Sequence, residues 1–323
     1  MKKIFLYEPS LGSENVGDQI IVDSIKREMR QLLDSSFYVE LPTHLPISNR
    51  YMYFLGKPDL KFVCGSNIIV PDLNPIIHLK QWCLSPLTIP NMKGVILIGV
   101  GARGYNMKVT LATKLSYRWM FKGNFLHSVR DSYTESLMKG IGINNVVNTG
   151  CPTMWSLTPD HCRRIRRDKA DKVVFTLTDY KPDPQRDEYL ISVLMKKYDE
   201  VYFWPQGHKD FAYLQTLQGF GDVRLINPHL KDYDDFLSEG GVDFVGTRLH
   251  GGIRALQHGC RTIIIGIDNR AKELHNDFNL PVLFDSNMED LGKTIENDVI
   301  TNIKLPVDNI RKYLSQFSIE YHA

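Results

Sequence analysis

Short apolar runs alternate with longer amphipathic segments along almost the whole chain. In the first half, the apolar runs predict buried strands, and the segments between them have the period of amphipathic helices. Strands that alternate with helices in this way form a parallel sheet covered on both faces. The predicted strands lie at 2–7, 61–64, 94–100, 125–129 and 145–149, and the clearest helices at 18–33 and 109–121.

A polar stretch at 158–171 separates this series from a second series of the same kind. The second series has predicted strands at 172–177, 200–204, 222–226, 242–246, 260–267 and 281–284, and helices at 187–198, 232–239, 251–258, 271–278 and 307–318. We therefore predict an α/β fold of two Rossmann-like, doubly wound parallel-sheet domains that face a cleft. The predicted domains are 1–157 and 172–305, and residues 306–323 form a helix that packs back on the N-terminal domain.

Composition narrows the class of protein. A length of 323 residues with 43% hydrophobic content is enough for two cores. The 39 basic and 37 acidic residues nearly balance, which disfavours a nucleic-acid partner. Five cysteines without a CxxC pair indicate reduced thiols rather than a disulfide framework or a zinc site. Without an apolar run long enough for a signal or a membrane span, we expect a cytoplasmic protein.

Loops that follow predicted strands are where ligands bind in open parallel sheets. The first, GSENVGDQ at 12–19, has Asn15, Gly17 and Asp18 at or near a helix start. Asp18 fits a helix N-cap, and the alternative is a polar lip of the cleft formed by the loop. Its glycine spacing matches neither GxGxxG nor a P-loop, which disfavours dinucleotide binding. The second loop places Arg130 directly after a strand, where an ion-paired structural arginine is the alternative.

The third loop, TRLHGG, places Arg248, Leu249 and His250 just after the strand VDFVG. Gly251 and Gly252 should expose backbone N–H groups at a helix start, which is a ready anion site. Arginine adds a planar fork suited to phosphate or carboxylate, and histidine can supply a proton near neutral pH. A structurally inert loop histidine is the alternative.

Two further loops carry weaker signals. GIDNRAKELHND places Asp268, Arg270 and Lys272 at another helix start, on the same sheet edge as His250. These residues are either caps and exposed charges or a source of positive potential for an anion. His208 and Asp210 in WPQGHKD form the second polar loop.

Together, several of these motifs resemble the polysaccharide pyruvyl transferase family. The resemblance lies in the opening Gly-x-x-Asn-x-Gly-Asp, the Ser-x-Arg-Asp at 128–131 and the run from VDFVG to AKEL, and it extends to about residue 284. Arg-Leu-His followed by Ala-x-x-x-Gly is its more specific part. The resemblance implies a GT-B-like fold and transfer of pyruvate from phosphoenolpyruvate to two hydroxyls of one sugar, as a cyclic ketal, with release of phosphate.

The resemblance also implies roles for particular residues. Arg130 and Arg248, one from each domain, would bind phosphoenolpyruvate, Leu249 would contribute backbone contacts, and His250 would donate the proton. We add Lys272 to the donor side because of its charge. We expect no cofactor and no metal, because the arginines offset the charge of the donor.

The acceptor side is less defined. The turns CGSN at 64–67 and GVGARG at 99–104 depart from the family pattern, and Asn15, Asp18 or another carboxylate could take the proton from the acceptor hydroxyl. Because the family acts on cell-surface glycans, we expect a sugar acceptor, with a lipid-linked precursor at the inner membrane face as one form of it. Peripheral membrane contact through the C-terminal helix is part of that expectation. The sugar, its carrier and the oligomeric state are left open.

Two other readings fit the same pattern. A glycosyltransferase of the same architecture could use the arginine and lysine side chains to hold the diphosphate of a nucleotide-sugar. A glycan-binding protein without catalytic activity could use some of the 15 Tyr, 15 Phe and 4 Trp residues for sugar stacking.

Overall fold

A computed structural model of the chain describes residues 1–73 and 81–322. The chain forms two compact units: the first comprises Met1–Ser13, Ile21–Trp155 and Leu305–Ala323, and the second comprises Glu14–Ile20 and Ser156–Lys304. Each unit contains a parallel sheet with helices, so the predicted α/β class with two parallel-sheet domains is confirmed. The predicted N-terminal domain, 1–157, included residues 14–20, whereas their contacts place these residues in the second unit.

The first unit is built on a four-stranded parallel sheet with the strand order β2-β1-β3-β4. A parallel pair, β5 and β6, follows it, and a bridge between Val100 and Val129 joins β5 to the segment after β4. Strand β2 was not predicted; its apolar run, residues 37–39, lies on a half-exposed edge strand rather than on a buried one. The strands are β1 (Lys2–Glu8), β2 (Ser36–Pro42), β3 (Leu60–Cys64), β4 (Ile96–Ile98), β5 (His127–Val129) and β6 (Val146–Asn148).

Helices cover both faces of this sheet with apolar side chains. The helices up to residue 155 are α1 (Val16–Glu28), α2 (Arg30–Leu33), α3 (Asn49–Leu55), α4 (Leu111–Met120) and α5 (Ser132–Gly140). Helix α13 (Val307–Ser315) buries Ile310, Tyr313 and Leu314 in the same core as Ile4 and Ile98. The Tyr313 hydroxyl donates to the Leu97 carbonyl at 3.0 Å, so the end of the chain is fixed to the first unit.

The second unit has a six-stranded parallel sheet with the order β12-β11-β10-β7-β8-β9. This is a doubly wound order, and its direction reverses between β7 and β10. Every residue of β10 is buried, as expected for a central strand covered on both faces. The strands are β7 (Lys172–Thr176), β8 (Glu200–Phe203), β9 (Arg224–Leu225), β10 (Val242–Gly246), β11 (Thr262–Gly266) and β12 (Val282–Phe284).

The helices of the second unit are α6 (Pro159–Arg164), α7 (Pro184–Lys197), α8 (Asp210–Leu214), α9 (Leu230–Ser238), α10 (Leu249–Gln257), α11 (Asn269–Phe278) and α12 (Leu291–Glu296). Four of them, α7, α9, α10 and α11, lie close to predicted positions, whereas α6, α8 and α12 were not predicted. Within residues 1–73 and 81–322, every helix is too short or too polar to cross a bilayer. The same described residues contain no group of three or more His, Cys, Asp or Glu side chains arranged to hold a metal ion.

A buried ion pair crosses the core of the second unit. Asp243 of β10 accepts from Arg261 Nη1 at 2.6 Å and from the Tyr198 hydroxyl at 2.8 Å. Arg261 also donates to the Ile295 and Asn297 carbonyls, which ties the end of α12 to the sheet. Burial raises the pKa of Asp243, and the Arg261 charge opposes that shift. The carboxylate is stable there because it has these donors.

We therefore expect Asp243→Ala to reduce the free energy of unfolding by about 3–5 kcal/mol, because it leaves the buried Arg261 without its counter-charge. Asp235→Ala is the matched control, since it removes a carboxylate that pairs with Lys231 at an exposed site, and it should change stability by less than about 1 kcal/mol. Urea unfolding of both variants measures the difference. Similar values for the two would contradict a structural role for the buried pair.

Candidate functional site

The loops that follow β7, β8 and β10 meet around one buried ion pair. Arg248, two residues after β10, donates from Nε to Asp210 Oδ2 at 2.9 Å and from Nη2 to Asp210 Oδ1. The Asp210 carboxylate also accepts from the backbone N–H groups of Gly207, at 2.7 Å, and Asp179, at 3.2 Å. Because the strand order reverses between β7 and β10, this pair lies at the position where open parallel sheets bind ligands.

Asp210 is wholly buried, and burial raises the pKa of its carboxyl group. The charge of Arg248 and the two amide donors oppose that shift. A buried carboxylate with four donors is well compensated, whereas the same carboxylate without Arg248 would be costly. Asp210 is therefore the anchor that fixes the Arg248 side chain.

Arg248 has further partners on the loop after β7. Its Nε also donates to the Leu177 carbonyl at 3.1 Å, and its Nη2 donates to Asp179 Oδ1 at 2.8 Å. The ring of Tyr180 lies 5.0 Å from the guanidinium carbon. The sequence predicted a guanidinium fork suited to phosphate or carboxylate. In the structure, Nε and Nη2 are both engaged by carboxylates of the protein itself, and only 4% of the residue is exposed.

Helix α10 begins immediately after Arg248, which occupies the N-cap position. His250 is consequently the second residue of the helix rather than a loop residue, and it is buried. The two glycines that follow are buried as well, so they do not open the helix start to solvent. A Cβ on Gly252 would lie 2.6 Å from the Ile264 side chain, so this glycine allows α10 to pack closely on the sheet.

The opening loop of the chain lies against the loop after β8. Val16 N donates to the Gln206 carbonyl at 2.8 Å, and His208 N donates to the Glu14 carbonyl at 2.9 Å. The Gln206 side-chain amide donates to Asn15 Oδ1 at 2.8 Å. These bonds explain why residues 14–20 belong to the second unit.

Asn15, rather than Asp18, caps helix α1. The helix begins at Val16, and Asn15 Oδ1 accepts from Gly17 N at 3.0 Å. Asp18 lies in the first turn, where a carboxylate interacts favourably with the helix dipole. The cap predicted for Asp18 is thus made by Asn15 instead.

Gln206 is a site residue that the sequence analysis did not single out. Its side chain lies between two glycines: a Cβ on Gly17 would be 2.6 Å from its Nε2, and a Cβ on Gly251 would be 3.1 Å from its Oε1. The residue is 3% exposed, and Oε1 accepts no hydrogen bond from any described residue. A buried carbonyl of this kind suits a ligand that brings a hydroxyl donor. Trp-Pro-Gln-Gly directly after a strand was the available signal.

Of the two cations predicted at the loop after β11, Arg270 lies beside the loop after β7. Asp268 caps α11 by accepting from Arg270 N at 2.9 Å, and it also pairs with the Arg270 side chain. The guanidinium carbon of Arg270 lies 5.9 Å from the Tyr180 ring. Burial acts to lower the pKa of Arg270, but Asp268 and Tyr180 outweigh it and raise the pKa overall. Lys272 is exposed in the first turn of the same helix, so Arg270 is the cation beside the β7 loop.

In the first unit, Arg130 lies at the carboxyl end of β5. Its backbone N–H donates to Val100 O at 3.0 Å, its Nε donates to Asp131 at 3.2 Å, and its Nη2 donates to Asn67. Gly101 lies beneath the guanidinium, where any Cβ would overlap it. The turns CGSN and GVGARG, whose role the sequence left open, therefore form the surroundings of Arg130.

Comparisons with known proteins bear on both family and fold. A sequence model of the family described as polysaccharide pyruvyl transferase matches residues 15–269. This range includes Asn15 at its start and Asp268 near its end, and with them Arg130, Gln206, Arg248 and His250. Glu14, Arg270 and Lys272 lie just outside it. No curated protein sequence matches the chain significantly.

Solved structures with a similar fold include UDP-GlcNAc 2-epimerases. The enzyme of Methanocaldococcus jannaschii, in complex with UDP-GlcNAc and UDP, has a TM-score of 0.58 at 12% identity, over 98% of this chain and 99% of that one. The MnaA–UDP structure from S. aureus has a TM-score of 0.58 at 11% identity, over 100% and 98%. The Neisseria meningitidis enzyme bound to UDP-GlcNAc has 0.54 at 15%, over 98% and 99%. These similarities confirm the predicted GT-B-like fold and, at such identities, nothing further.

Gly17→Ala tests the close approach of Gln206. Because the added Cβ would lie 2.6 Å from Gln206 Nε2 and 3.0 Å from Asn15 Oδ1, we expect a loss of about 1–3 kcal/mol in the free energy of unfolding. Gly292→Ala is the matched control, since it is also a helical glycine but has open space around its Cβ position. It should be neutral or stabilise by up to about 1 kcal/mol. Equal effects of the two changes would rule out the packing described.

Proposed function

The chain belongs to the polysaccharide pyruvyl transferase family, and on that basis we propose that it transfers pyruvate from phosphoenolpyruvate to two hydroxyls of one sugar. The sugar belongs to a cell-surface polysaccharide or to its lipid-linked precursor. The observation that carries the proposal is the position of Arg248 and His250. Both lie within the matched region, at the carboxyl edge of β10 and the start of α10, beside the reversal of strand order.

The reaction needs a proton donor. Protonation of the methylene carbon of phosphoenolpyruvate, C3, leaves the neighbouring carbon C2 electron-poor, and the first sugar hydroxyl bonds to C2 and loses its proton. The bond between C2 and the phosphate oxygen then breaks, with its electron pair leaving on phosphate, and the second hydroxyl bonds to C2 and loses its proton to close the cyclic ketal. Of the two protons lost, one restores the acid and the other goes to the phosphate. We assign the first proton to His250, because histidine is the side chain that most often acts as a general acid, and a well-placed general acid contributes about 10²–10⁴ in rate.

The donor carries a carboxylate and a phosphate, so its binding needs fixed positive charge. Arg248 supplies a guanidinium whose orientation is set by the buried Asp210. The backbone N–H groups in the first turn of α10 add the positive end of a helix dipole beside it. As phosphate departs, these groups stabilise the negative charge that develops on it.

Gln206 supports a sugar acceptor on the same unit. Its buried Oε1 can accept a hydrogen bond from a sugar hydroxyl, and its Nε2 is held by Asn15. In this assignment the opening loop orients the acceptor through Gln206. Asp18, named with Asn15 as a candidate base, stays a prediction.

Several other assignments also stay predictions. These are donor binding by Arg130, Leu249 and Lys272, the lack of a cofactor, a cytoplasmic location and contact with the inner membrane face.

Arg130→Lys tests donor binding by Arg130 directly, because it keeps the charge and removes the planar fork. An unchanged affinity for phosphoenolpyruvate would remove Arg130 from the donor site.

Glycosyl transfer from a nucleotide-sugar is the second candidate, because the similar solved structures include complexes with UDP or UDP-GlcNAc. Incubation of the protein with a panel of sugar acceptors and one donor at a time separates the two functions. Acceptor-dependent phosphate release from phosphoenolpyruvate, with a ketal product in the mass spectrum, supports pyruvyl transfer. Release of a nucleoside diphosphate from a nucleotide-sugar, without phosphate release from phosphoenolpyruvate, would support glycosyl transfer and contradict pyruvyl transfer.

His250→Ala should lower ketal formation by at least about 10²-fold, because the general acid is lost. Affinity for phosphoenolpyruvate, measured by calorimetry, should change much less. His229→Ala is the control, since His229 is exposed at the start of α9 and should keep full activity. Turnover close to that of the parent protein in His250→Ala would exclude the imidazole as the proton donor.

A further inference from the structure

Arg248 lies between two carboxylates that differ in their surroundings. Asp210 is wholly buried, whereas the Asp179 side chain is 26% exposed. Both accept from Arg248 Nη2, and Asp210 also accepts from Nε. One guanidinium therefore faces two negative charges, which is one more than it needs for neutrality.

The two carboxylates also differ in how firmly they are held. Asp210 accepts from two backbone N–H groups in addition to Arg248, so it belongs to the framework of the loops. The Asp179 carboxylate has Arg248 as its partner, and it lies on the loop directly after β7. Its neighbour Tyr180 is 55% exposed and covers the Arg248 guanidinium from the same loop.

We propose that the Asp179 carboxylate occupies the position on Arg248 where an anionic ligand binds, and that the ligand displaces it. A carboxylate or phosphate oxygen can make the same contact to Nη2 that Asp179 makes at 2.8 Å. The Asp210 contacts stay in place during this exchange and keep the guanidinium oriented. The inference rests on the proposed function only for the identity of the anion, phosphoenolpyruvate.

Displacement has a consequence for selectivity. When a ligand displaces Asp179, the attraction between that carboxylate and Arg248 is lost. An anion with a single charged group therefore binds with little net gain in free energy. A ligand with two anionic groups can replace Asp179 with one group and use the other for a second cation. Arg270 is such a cation, since it lies against the same Tyr180, although it also pairs with Asp268. Asp179 therefore favours ligands with two anionic groups over simple anions.

Asp179→Asn tests this inference. The amide keeps the shape of the side chain but removes the competing charge, so we expect phosphoenolpyruvate to bind about fivefold more tightly or better. Inorganic phosphate should gain at least as much, and selectivity for phosphoenolpyruvate should fall. Calorimetric titration of parent and variant with each anion, at constant ionic strength, measures both effects.

Three further variants isolate the cause. Asp235→Asn removes the same charge from an exposed position on α9 and should leave both affinities unchanged. Asp210→Asn should weaken binding, because it disturbs the anchor rather than the exchangeable partner. The gain from Asp179→Asn should disappear in an Arg248→Gln background, as a double-mutant cycle would show.

An affinity of Asp179→Asn that equals or falls below that of the parent protein would overturn the inference. So would a gain that persists without Arg248, or a lack of binding of both anions to parent and variant alike. Failure of the proposed function would give a different result from failure of this inference. If phosphoenolpyruvate yields no ketal with the parent protein but Asp179→Asn still gains affinity for inorganic phosphate through Arg248, the exchange stands and the donor assignment falls.

Discussion

The arrangement of the site depends on one contact, the buried pair between Arg248 and Asp210. The pair joins the loops after β7, β8 and β10, because Asp210 also accepts from Gly207 and Asp179. A buried pair of this kind is costly to break and adds little net stability relative to apolar packing. Its value is positional, since it holds a long and otherwise mobile side chain in one orientation at the reversal of strand order.

Glycines let the remaining parts of the site come together. Gly17 and Gly251 leave room for the Gln206 amide, and Gly252 lets the start of α10 approach Ile264. The glycines near His250 thus act through packing rather than by opening a helix end to solvent. The same principle operates in the first unit, where Gly101 leaves room for the Arg130 guanidinium. In each case, the missing Cβ allows a polar side chain or a helix to lie where a larger residue would exclude it.

Hydrophobic periodicity was sufficient to predict most of the fold. Each predicted strand in the second unit has a counterpart, because buried strands of parallel sheets are apolar runs. Strand β2 was not predicted: its apolar run of three residues, 37–39, lies on a half-exposed edge strand and is not buried like the others. Sequence spacing could place Arg248 and His250 at the start of one helix, but the partners of Arg248 could not be predicted. Asp179 lies on the loop after β7 and Asp210 is the first residue of α8, and only the strand order brings these two residues together. Gln206 is uncharged, so the pattern of charged residues gave no reason to select it.

The positive charge of Arg248 is compensated by the carboxylates of Asp179 and Asp210, so this cationic site is not simply an unpaired positive charge. A buried arginine without a counter-charge would be unstable before any ligand arrived, so a site of this kind needs internal carboxylates to fold at all. Full compensation by groups that never move would leave nothing for an anion to bind. Two carboxylates of unequal burial resolve this conflict, because the buried one provides stability and the more exposed one provides a position that can be exchanged. The stability of the empty fold and the affinity for an anion are thus assigned to different side chains.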